Sequence, residues 1–282
     1  MWSLNYENVT QISSVLGSSS LAMSKKFGQN FLLPASVRNR IVDLVDLPPE
    51  GEVWEIGPGI GALTGIMLSR GAAVRAFEID HGFCRILGTE AFPDEGAFTL
   101  VEGDALKTLF LQEGRPERIC GNLPYNVGSV LIARLVENSL LPERMVFTLQ
   151  KEVVERMCAH SGDDAYSSFS VLTQLDYENR MAFTIGRGNF YPVPNVDSAV
   201  VLMIRRKQPL VDSGLRPLFL ETVRKLFSQR RKTIRNNLSG LGKARLDEVF
   251  CLCGLTGGER AEALSFEKLR ELAAAIRQTE GL

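Results

Sequence analysis

The sequence predicts an α/β domain built on a mostly parallel sheet, followed by a small all-α domain. Between residues 53 and 159, short β-rich runs alternate with stretches of helical periodicity, and this order builds βαβ units. Two further β-rich runs, at 181–185 and 199–204, have no helical pattern between them and predict an antiparallel edge. From residue 207 onward the periodicity is helical.

The individual elements follow from the same patterns. Parallel strands are predicted at five runs: 53–56, 74–79, 98–101, 118–120 and 145–149. In the C-terminal part, Pro217 suits a first helical turn, and 3–4 spacing as far as Leu238 predicts one helix that Gly240 and Gly242 end. Another helix is expected over 244–253, and Ser265 is a candidate N-cap for the last one.

Three segments are therefore expected. Residues 1–23 show no firm pattern and predict an extension that is partly flexible. Residues 24–207 form the α/β domain, and residues 208–282 form the helical domain after a linker at 208–214.

Composition excludes several classes of protein. The chain is 45% hydrophobic and 23% charged, as expected of a globular protein. No apolar run is close to the length of about 20 residues that a helix needs to cross a bilayer. The first 23 residues also lack the Lys or Arg that begin a signal peptide. Five scattered cysteines do not form a disulfide framework. We expect a cytoplasmic monomer without a membrane partner.

Charge is distributed unevenly along the chain. Residues 1–204 hold 16 basic and 24 acidic residues, whereas residues 205–282 hold 16 basic and 9 acidic ones, a net charge of +7. This asymmetry indicates a polyanion-binding face, although a solvated helix face explains a short basic run equally well. The candidate RNA-binding residues are Lys25, Lys26, Arg224, Lys225, Arg230, Arg231, Lys232 and Arg235.

A glycine-rich loop joins the first predicted strand to a helix. Gly57 and Gly59 allow a tight turn and close approach of a ligand, but this pattern alone is typical of NAD, FAD and S-adenosylmethionine sites alike. Glu78, at the end of the second strand, is placed to accept hydrogen bonds from ribose hydroxyls. Asp104, after the third strand, can accept from an adenine amino group.

The turn Asn122-Leu-Pro-Tyr125 after the fourth strand favours methyl transfer to an adenine amino group. That nitrogen is a poor nucleophile, so a site must accept hydrogen bonds from both its N–H groups. The side-chain oxygen of Asn122 and the carbonyl of Leu123, held extended before Pro124, supply two acceptors. Tyr125 offers a stacking face. A dehydrogenase does not use this turn, which favours S-adenosylmethionine as the cofactor. We expect no metal, because Cys251 and Cys253 lack a second pair.

Taken together, the motifs resemble those of the small-subunit ribosomal RNA adenine N6,N6-dimethyltransferase family over residues 24–280. The matching segments are Lys26-Phe-Gly-Gln-Asn-Phe-Leu32, Glu55-Ile-Gly-Pro-Gly59, Phe77-Glu-Ile-Asp80, Gly103-Asp-Ala105, Gly121-Asn-Leu-Pro-Tyr125, Gln150-Lys-Glu152, Phe190-Tyr-Pro-Val-Pro-Asn-Val-Asp-Ser198 and Gln229-Arg-Arg-Lys-Thr233.

The resemblance implies a Rossmann-like class I methyltransferase domain with a seven-stranded sheet. It implies that Asn30, Leu32, Gly57, Glu78, Asp104 and Asn122 contact the cofactor. Phe190 would hold the target adenine against Tyr125, although a core aromatic beside prolines is the alternative interpretation of this residue.

The sequence thus predicts an enzyme that methylates N6 of two adjacent adenosines in a hairpin loop of small-subunit (16S) rRNA, on the immature 30S subunit. One alternative is an antibiotic-resistance enzyme that acts on large-subunit rRNA. Leu123 and the Gln229–Thr233 run favour the small-subunit class over this alternative. Another is a non-catalytic RNA-binding assembly factor. A nicotinamide oxidoreductase is a third and more distant alternative.

Overall fold

The computed structural model describes residues 4–18, 30–49, 51–125 and 127–280. The chain divides into two units. The first comprises Met1–Val154 and Glu178–Arg205, and the second comprises Glu155–Tyr177 and Arg206–Leu282. The strands in the described part are β1 (Phe31–Leu32), β2 (Glu52–Ile56), β3 (Ala73–Glu78), β4 (Phe98–Glu102), β5 (Arg118–Asn122), β6 (Arg144–Gln150), β7 (Tyr177–Ile185), β8 (Phe190–Tyr191) and β9 (Ser198–Arg205).

Helices precede, connect and follow these strands. In chain order they are α1 (Val9–Ser18), α2 (Ala35–Val45), α3 (Thr64–Ser69), α4 (His81–Arg85), α5 (Ala105–Thr108), α6 (Gly128–Glu137), α7 (Lys151–Cys158), α8 (Ser168–Gln174), α9 (Arg216–Leu226), α10 (Ile234–Asn237), α11 (Lys243–Cys253) and α12 (Phe266–Gln278). Among the residues that the structure describes, no helix combines the length and the apolar character needed to cross a bilayer.

The main sheet has seven strands in the order β4-β3-β2-β5-β6-β9-β7. Strands β2 to β6 pair in parallel, and β9 runs antiparallel to β6, with Arg144 opposite Ile204 and Gln150 opposite Ser198. This confirms the predicted parallel sheet with an antiparallel edge. Because the chain runs outward from β2 to β4 and returns to β5 on the other side of β2, the strand order reverses between β2 and β5, where α/β folds bind ligands.

One face of the sheet is covered by α2 and α3. Ile41 and Val42 of α2 and Met67 of α3 are fully buried against Val53 and Val146 of the strands. A second, two-stranded sheet joins β1 to β8, with Phe31 opposite Tyr191 and Leu32 opposite Phe190. This pairing brings together two segments that are 158 positions apart or more in the chain.

The N-terminal extension contains a helix that the sequence pattern does not predict. Ile12 and Leu16 of α1 are buried in a cluster with Phe31, Ile60 and Phe83. The helix is stabilised by this packing rather than by its intrinsic propensity, since isolated helices of this length are marginal in water. The rest of the extension, at 1–3 and 19–23, lies outside the described residues.

The helical unit differs from the predicted domain boundary at 207/208, because residues 155–177 belong to it. Tyr166 meets Phe227 edge to face at 5.7 Å between ring centroids. Asp176, whose side chain is 5% exposed, accepts two hydrogen bonds from the guanidinium of Arg216, at 2.8 and 2.7 Å. These contacts join segments that are separated in the chain by the three strands β7, β8 and β9.

The single helix predicted as far as Leu238 is wrong. Helix α9 ends at Leu226, and α10 starts at Ile234. The side chain of Asn237 donates to the carbonyl of Leu226 at 2.5 Å and satisfies the end of α9, while Thr233 caps the start of α10. The 3–4 spacing of apolar residues survives the break, so periodicity alone does not reveal it.

We expect the substitution Arg216→Ala to lower the free energy of unfolding by about 3 kcal/mol, because it leaves the buried carboxylate of Asp176 without its partner. Urea denaturation followed by circular dichroism measures this. Lys225→Ala is the matched control, since it breaks an exposed pair with Glu221 and is expected to cost less than about 0.5 kcal/mol. Equal effects of the two substitutions would contradict the prediction.

Candidate active site

The glycine-rich loop turns sharply between β2 and α3. Gly57, Gly59 and Gly61 have positive φ angles of 66°, 58° and 86°, a region that side chains other than glycine rarely occupy. A Cβ atom at Gly61 would lie 2.7 Å from the ring of Phe92. The loop therefore requires glycine for its backbone conformation and, at Gly61, also for its packing.

Glu78 lies at the end of β3 beside this loop. Its Oε2 accepts from the N–H of Gly59 at 3.1 Å, and its Oε1 accepts from the N–H groups of Ile79 and Asp80, both at 2.9 Å. The residue is 5% exposed, and burial raises its pKa to about 7 although the three amide donors favour the ionised form. A carboxylate offers about four acceptor positions, so one remains for a ligand.

A second buried carboxyl group, that of Glu55, lines the same cleft. Its Oε2 accepts from the hydroxyl of Thr64 at 2.6 Å. Burial, with a smaller contribution from the charge of Glu78, raises its pKa to about 7, although the hydrogen bond from Thr64 favours the ionised form. The sequence pattern does not identify Glu55 as a site residue, because a glutamate inside an apolar strand gives no indication of which neighbours will surround it.

Asp104 follows the third parallel strand and caps helix α5. Its Oδ1 accepts from the N–H of Leu106 at 3.0 Å, and the residue borders the cleft. Gly103, before it, adopts a φ of 136° and donates its N–H to the carbonyl of Glu78 at 2.7 Å. The aspartate thus has a structural role as a cap and also faces the ligand space.

The turn after β5 presents polar groups to the cleft. The Nδ2 of Asn122 donates to the carbonyl of Asn30 at 2.8 Å, which leaves its Oδ1 as the acceptor. The carbonyl of Pro124 accepts from Val127 at 3.0 Å and from Gly128 at 3.2 Å, whereas the carbonyl of Leu123 accepts no backbone N–H within the described ranges. Two acceptors therefore remain available in adjacent residues.

Tyr125 is half-buried and its ring is held in place. Its hydroxyl lies 2.7 Å from the hydroxyl of Ser198, at the start of β9. Burial raises the pKa of Tyr125, so the phenol stays neutral near pH 7. A ring fixed at both ends can offer a flat face without losing entropy on stacking.

Phe190 borders the cleft but is 2% exposed and packs in the core with Leu32 and Ile185. Among the aromatic pairs of the described chain, none joins Phe190 to Tyr125. The ring is therefore a core residue that also forms part of the cleft wall, and its role in holding the adenine stays a prediction.

One cleft brings together all the residues predicted to act in catalysis or to bind the cofactor. It is lined by Asn30, Leu32, Gly57, Gly59, Glu78, Asp104, Asn122, Leu123, Pro124, Tyr125 and Phe190. Their individual roles stay predictions. Lining residues that the sequence analysis missed include Arg38, Glu55, Ile79 and Phe83.

The basic residues of the helical unit differ in what they contact. Arg231 and Lys232 lie in the turn between α9 and α10, where they are exposed and make no side-chain hydrogen bond or ion pair with the described residues. Arg230 donates to the carbonyl of Asp164 at 2.6 Å.

Arg235, by contrast, pairs with Asp247 at 2.6 Å and stacks on Phe250, and it is part of the internal packing. Lys25 and Lys26, also predicted to bind RNA, lie outside the described residues.

Comparison with known proteins gives a consistent result. The chain matches the model of the family described as ribosomal RNA adenine dimethylase over residues 21–278. A ribosomal RNA small subunit methyltransferase A from Treponema denticola is 41% identical over 271 residues, covering 93% of this chain and 92% of that protein. A protein of the same name from Borrelia garinii is 36% identical and covers 96% and 94%.

Two solved structures share the fold. A dimethyladenosine transferase from Plasmodium falciparum superimposes with a TM-score of 0.75 at 24% identity, covering 88% of this chain and 98% of that chain. The 23S rRNA methyltransferase ErmE gives a TM-score of 0.68 at 25% identity, covering 88% and 99%.

The family match spans the glycine-rich loop, Glu78, the turn at Asn122 and the helical unit alike. Both the resemblance seen in the sequence and the predicted class of fold are confirmed. On this extent of similarity, the chain belongs to the ribosomal RNA adenine dimethylase family.

Proposed function

We propose that this methyltransferase uses S-adenosylmethionine to dimethylate N6 of two adjacent adenosines in a hairpin loop of small-subunit (16S) rRNA. The observation that carries the proposal is the position of the turn Asn122–Tyr125, which borders the same cleft as the glycine-rich loop and Glu78. The names of the curated relatives support the small subunit as the substrate. The reaction belongs to ribosome biogenesis, in which the immature 30S subunit is the partner.

The cleft fits S-adenosylmethionine chemically. Glu78 retains an acceptor for a ribose hydroxyl. The glycines bring the backbone itself to the wall of the cleft, and a Cβ atom at Gly57 would meet no atom within 4 Å. When bound, S-adenosylmethionine supplies a methyl group made electrophilic by its sulfonium. Acidic groups in the wall, Glu55 and Glu78, complement a cationic ligand.

The turn after β5 prepares the adenine amino group for attack. The lone pair of this nitrogen is delocalised into the ring, which makes it a weak nucleophile. The Oδ1 of Asn122 and the carbonyl of Leu123 each accept one of its N–H groups, so that the lone pair is directed out of the ring plane. These hydrogen bonds strengthen as the nitrogen becomes tetrahedral. No base is needed beforehand, because the proton becomes acidic only after methylation and then passes to water.

Aromatic side chains hold the base during this step. Tyr125 provides a stacking face fixed by Ser198, and Phe190 provides part of the cleft wall. Stacking of a base on an aromatic ring contributes about 1–3 kcal/mol. Single-stranded loops suit such a site, since their bases leave the stack at small cost.

The basic turn at Arg231 and Lys232 binds phosphates of the RNA. Both side chains are exposed and are not engaged by the described residues, in contrast to Arg235. Neutralising phosphates releases counterions, which makes binding depend on salt. The negative charge of the N-terminal half is then compatible with an RNA substrate.

The alternatives are less well supported. The likeness to ErmE is one of fold at 25% identity, whereas relatives at 36–41% identity are named for the small subunit. A purely RNA-binding factor does not require the acceptors of Asn122 and Leu123 beside Glu78. An oxidoreductase is excluded by membership of the family.

The direct test is methyl transfer to ribosomal subunits from cells that lack this protein. We expect N6,N6-dimethyladenosine in the small-subunit rRNA, detected by nucleoside chromatography and mass spectrometry, and none in large subunits treated in parallel. Methylation of large subunits instead would overturn the proposed substrate, and no methylation of either would overturn the activity.

Removal of the side-chain acceptor in Asn122→Ala is expected to lower the rate of methyl transfer about 10²-fold, equivalent to ~2.7 kcal/mol in the barrier. Single-turnover kinetics with saturating RNA measure this rate. Asn138→Ala is the matched control, because Asn138 is exposed at the end of α6. Near-normal turnover in Asn122→Ala would contradict the role assigned to the amide.

Cofactor affinity is expected to depend on the ionisation of Glu78. Its pKa of about 7 means that the carboxyl is mostly protonated at pH 6 and mostly ionised at pH 8. Ribose hydroxyls donate to the ionised form, so affinity for S-adenosylhomocysteine should fall about tenfold from pH 8 to pH 6.

Isothermal titration calorimetry at both pH values measures this change. Glu78→Gln should remove the pH dependence, whereas Glu55→Gln, at the neighbouring buried carboxyl, should retain it. A slope that persists in Glu78→Gln would assign the titration to another group.

RNA binding by the basic turn is tested with the double variant Arg231→Ala and Lys232→Ala. We expect the slope of log affinity against log salt concentration to fall by between about one and two units. Lys207→Ala with Lys243→Ala removes the same charge from exposed positions outside the turn and should leave the slope nearly unchanged. Filter binding of a small-subunit hairpin RNA gives both slopes, and equal slopes would show that the turn is merely solvated.

A further inference from the structure

A buried cation stands in the wall of the cleft. Arg38, on α2, is 6% exposed and lines the cleft together with the glycine-rich loop. The other charged residues in that lining are Glu55, Glu78 and Asp104. Among the described lining residues, Arg38 is therefore the one positive charge in an acidic site.

The guanidinium of Arg38 is held in place, but its hydrogen bonding is incomplete. Its Nη2 donates to the carbonyl of Leu33 at 3.1 Å, and its Cζ lies 4.9 Å from the ring centroid of Tyr6. Its Nε is buried without a hydrogen-bond partner. No carboxylate within the described ranges lies within ion-pair distance of it.

A buried guanidinium without an anionic partner is costly, since proteins pair or coordinate the charges that they bury. Burial lowers the pKa of Arg38, and the charges of Tyr6 and Glu7 oppose that shift only in part. The hydroxyl of Tyr6 in turn donates to the carbonyl of Ile60 in the glycine-rich loop at 2.8 Å. Arg38 is thus fixed next to the loop, with a donor unused.

Arg38 also borders a second cavity, which is lined in part by Tyr6, Gly65 and Phe92. Asp94 and Glu95 lie in the wall of that cavity and would repel an anion. In the cleft, by contrast, burial raises the pKa of both Glu55 and Glu78 to about 7, so that each carboxyl carries only part of a negative charge near neutral pH, and Asp104 is the third acidic side chain of the lining. The cleft is therefore the better place for an anionic partner of Arg38.

We propose that Arg38 binds the carboxylate of the amino-acid portion of S-adenosylmethionine. This inference rests on the cofactor assigned under the proposed function. At neutral pH the ligand carries a sulfonium, an ammonium and one carboxylate, and only the carboxylate complements a guanidinium. Arg38 would then make the protein prefer a ligand that carries this carboxylate over the same ligand without it.

The test compares two ligands that differ only in this group. S-adenosylhomocysteine has the carboxylate, and S-adenosyl-3-thiopropylamine is the same molecule without it. We expect the wild-type protein to prefer the first by about 10- to 100-fold, the range of a charge-assisted hydrogen bond. In Arg38→Met the preference should shrink to within about threefold, and Arg38→Lys should restore part of it. Isothermal titration calorimetry gives each affinity.

A structural role for Arg38 predicts a different result. If the side chain served only to seat Tyr6, then Arg38→Met and Arg38→Lys would weaken both ligands by the same factor and keep the wild-type ratio, which would overturn the inference. Tyr6→Leu is the control for that effect, since it removes the stacked ring and keeps the guanidinium, and it should preserve the ratio. A wild-type protein that binds neither ligand would instead refute the cofactor itself.

Discussion

The site depends on the parallel, in-register pairing of β3, β2 and β5. Ile56 lies opposite Phe77, and Glu55 lies opposite Cys120, so these strands end at the same edge of the sheet. Gly57, Glu78 and Asn122 follow or end these three strands and therefore meet in one cleft. Gly121 makes the approach possible, because a Cβ atom there would lie 2.4 Å from the carbonyl of Ile56. Every chemical role proposed above requires this convergence.

The same convergence sets the electrostatics of the cleft. Bringing Glu55 and Glu78 to a buried edge removes them from water, and this loss of solvation outweighs their hydrogen bonds and raises the pKa of both to about 7. The backbone amides of Gly59, Ile79 and Asp80 hold Glu78 in a single orientation. A cationic ligand that donates hydrogen bonds stabilises the ionised carboxylates. Without such a ligand, burial of these two groups lowers the stability of the folded protein.

The N-terminal segment and the helical unit each add a feature that the sheet does not provide. Helix α1 packs Ile12 and Leu16 beside Phe31 and Phe83, which line the cleft, so the segment supports the wall of the cleft. In the helical unit, the break after α9 places Arg231 and Lys232 in a turn rather than on a helix face. A turn presents both side chains to solvent together, which suits the binding of neighbouring phosphates.

The sequence by itself determined the class of fold, the succession of the main strands along the chain and the motifs of the site, because alternation, helical spacing and turn residues are local properties. It correctly placed Glu78 and Asn122 at strand ends, and parallel strands bring such ends to one edge. Only the tertiary structure decided the rest. The helix of the N-terminal extension, the break at Phe227 and the position of residues 155–177 depend on partners distant in the chain, such as Arg216 for Asp176. Arg38 and Glu55 became candidate site residues only in the folded structure. Burial changes the energy of a charged group, and burial is a property of the assembled fold.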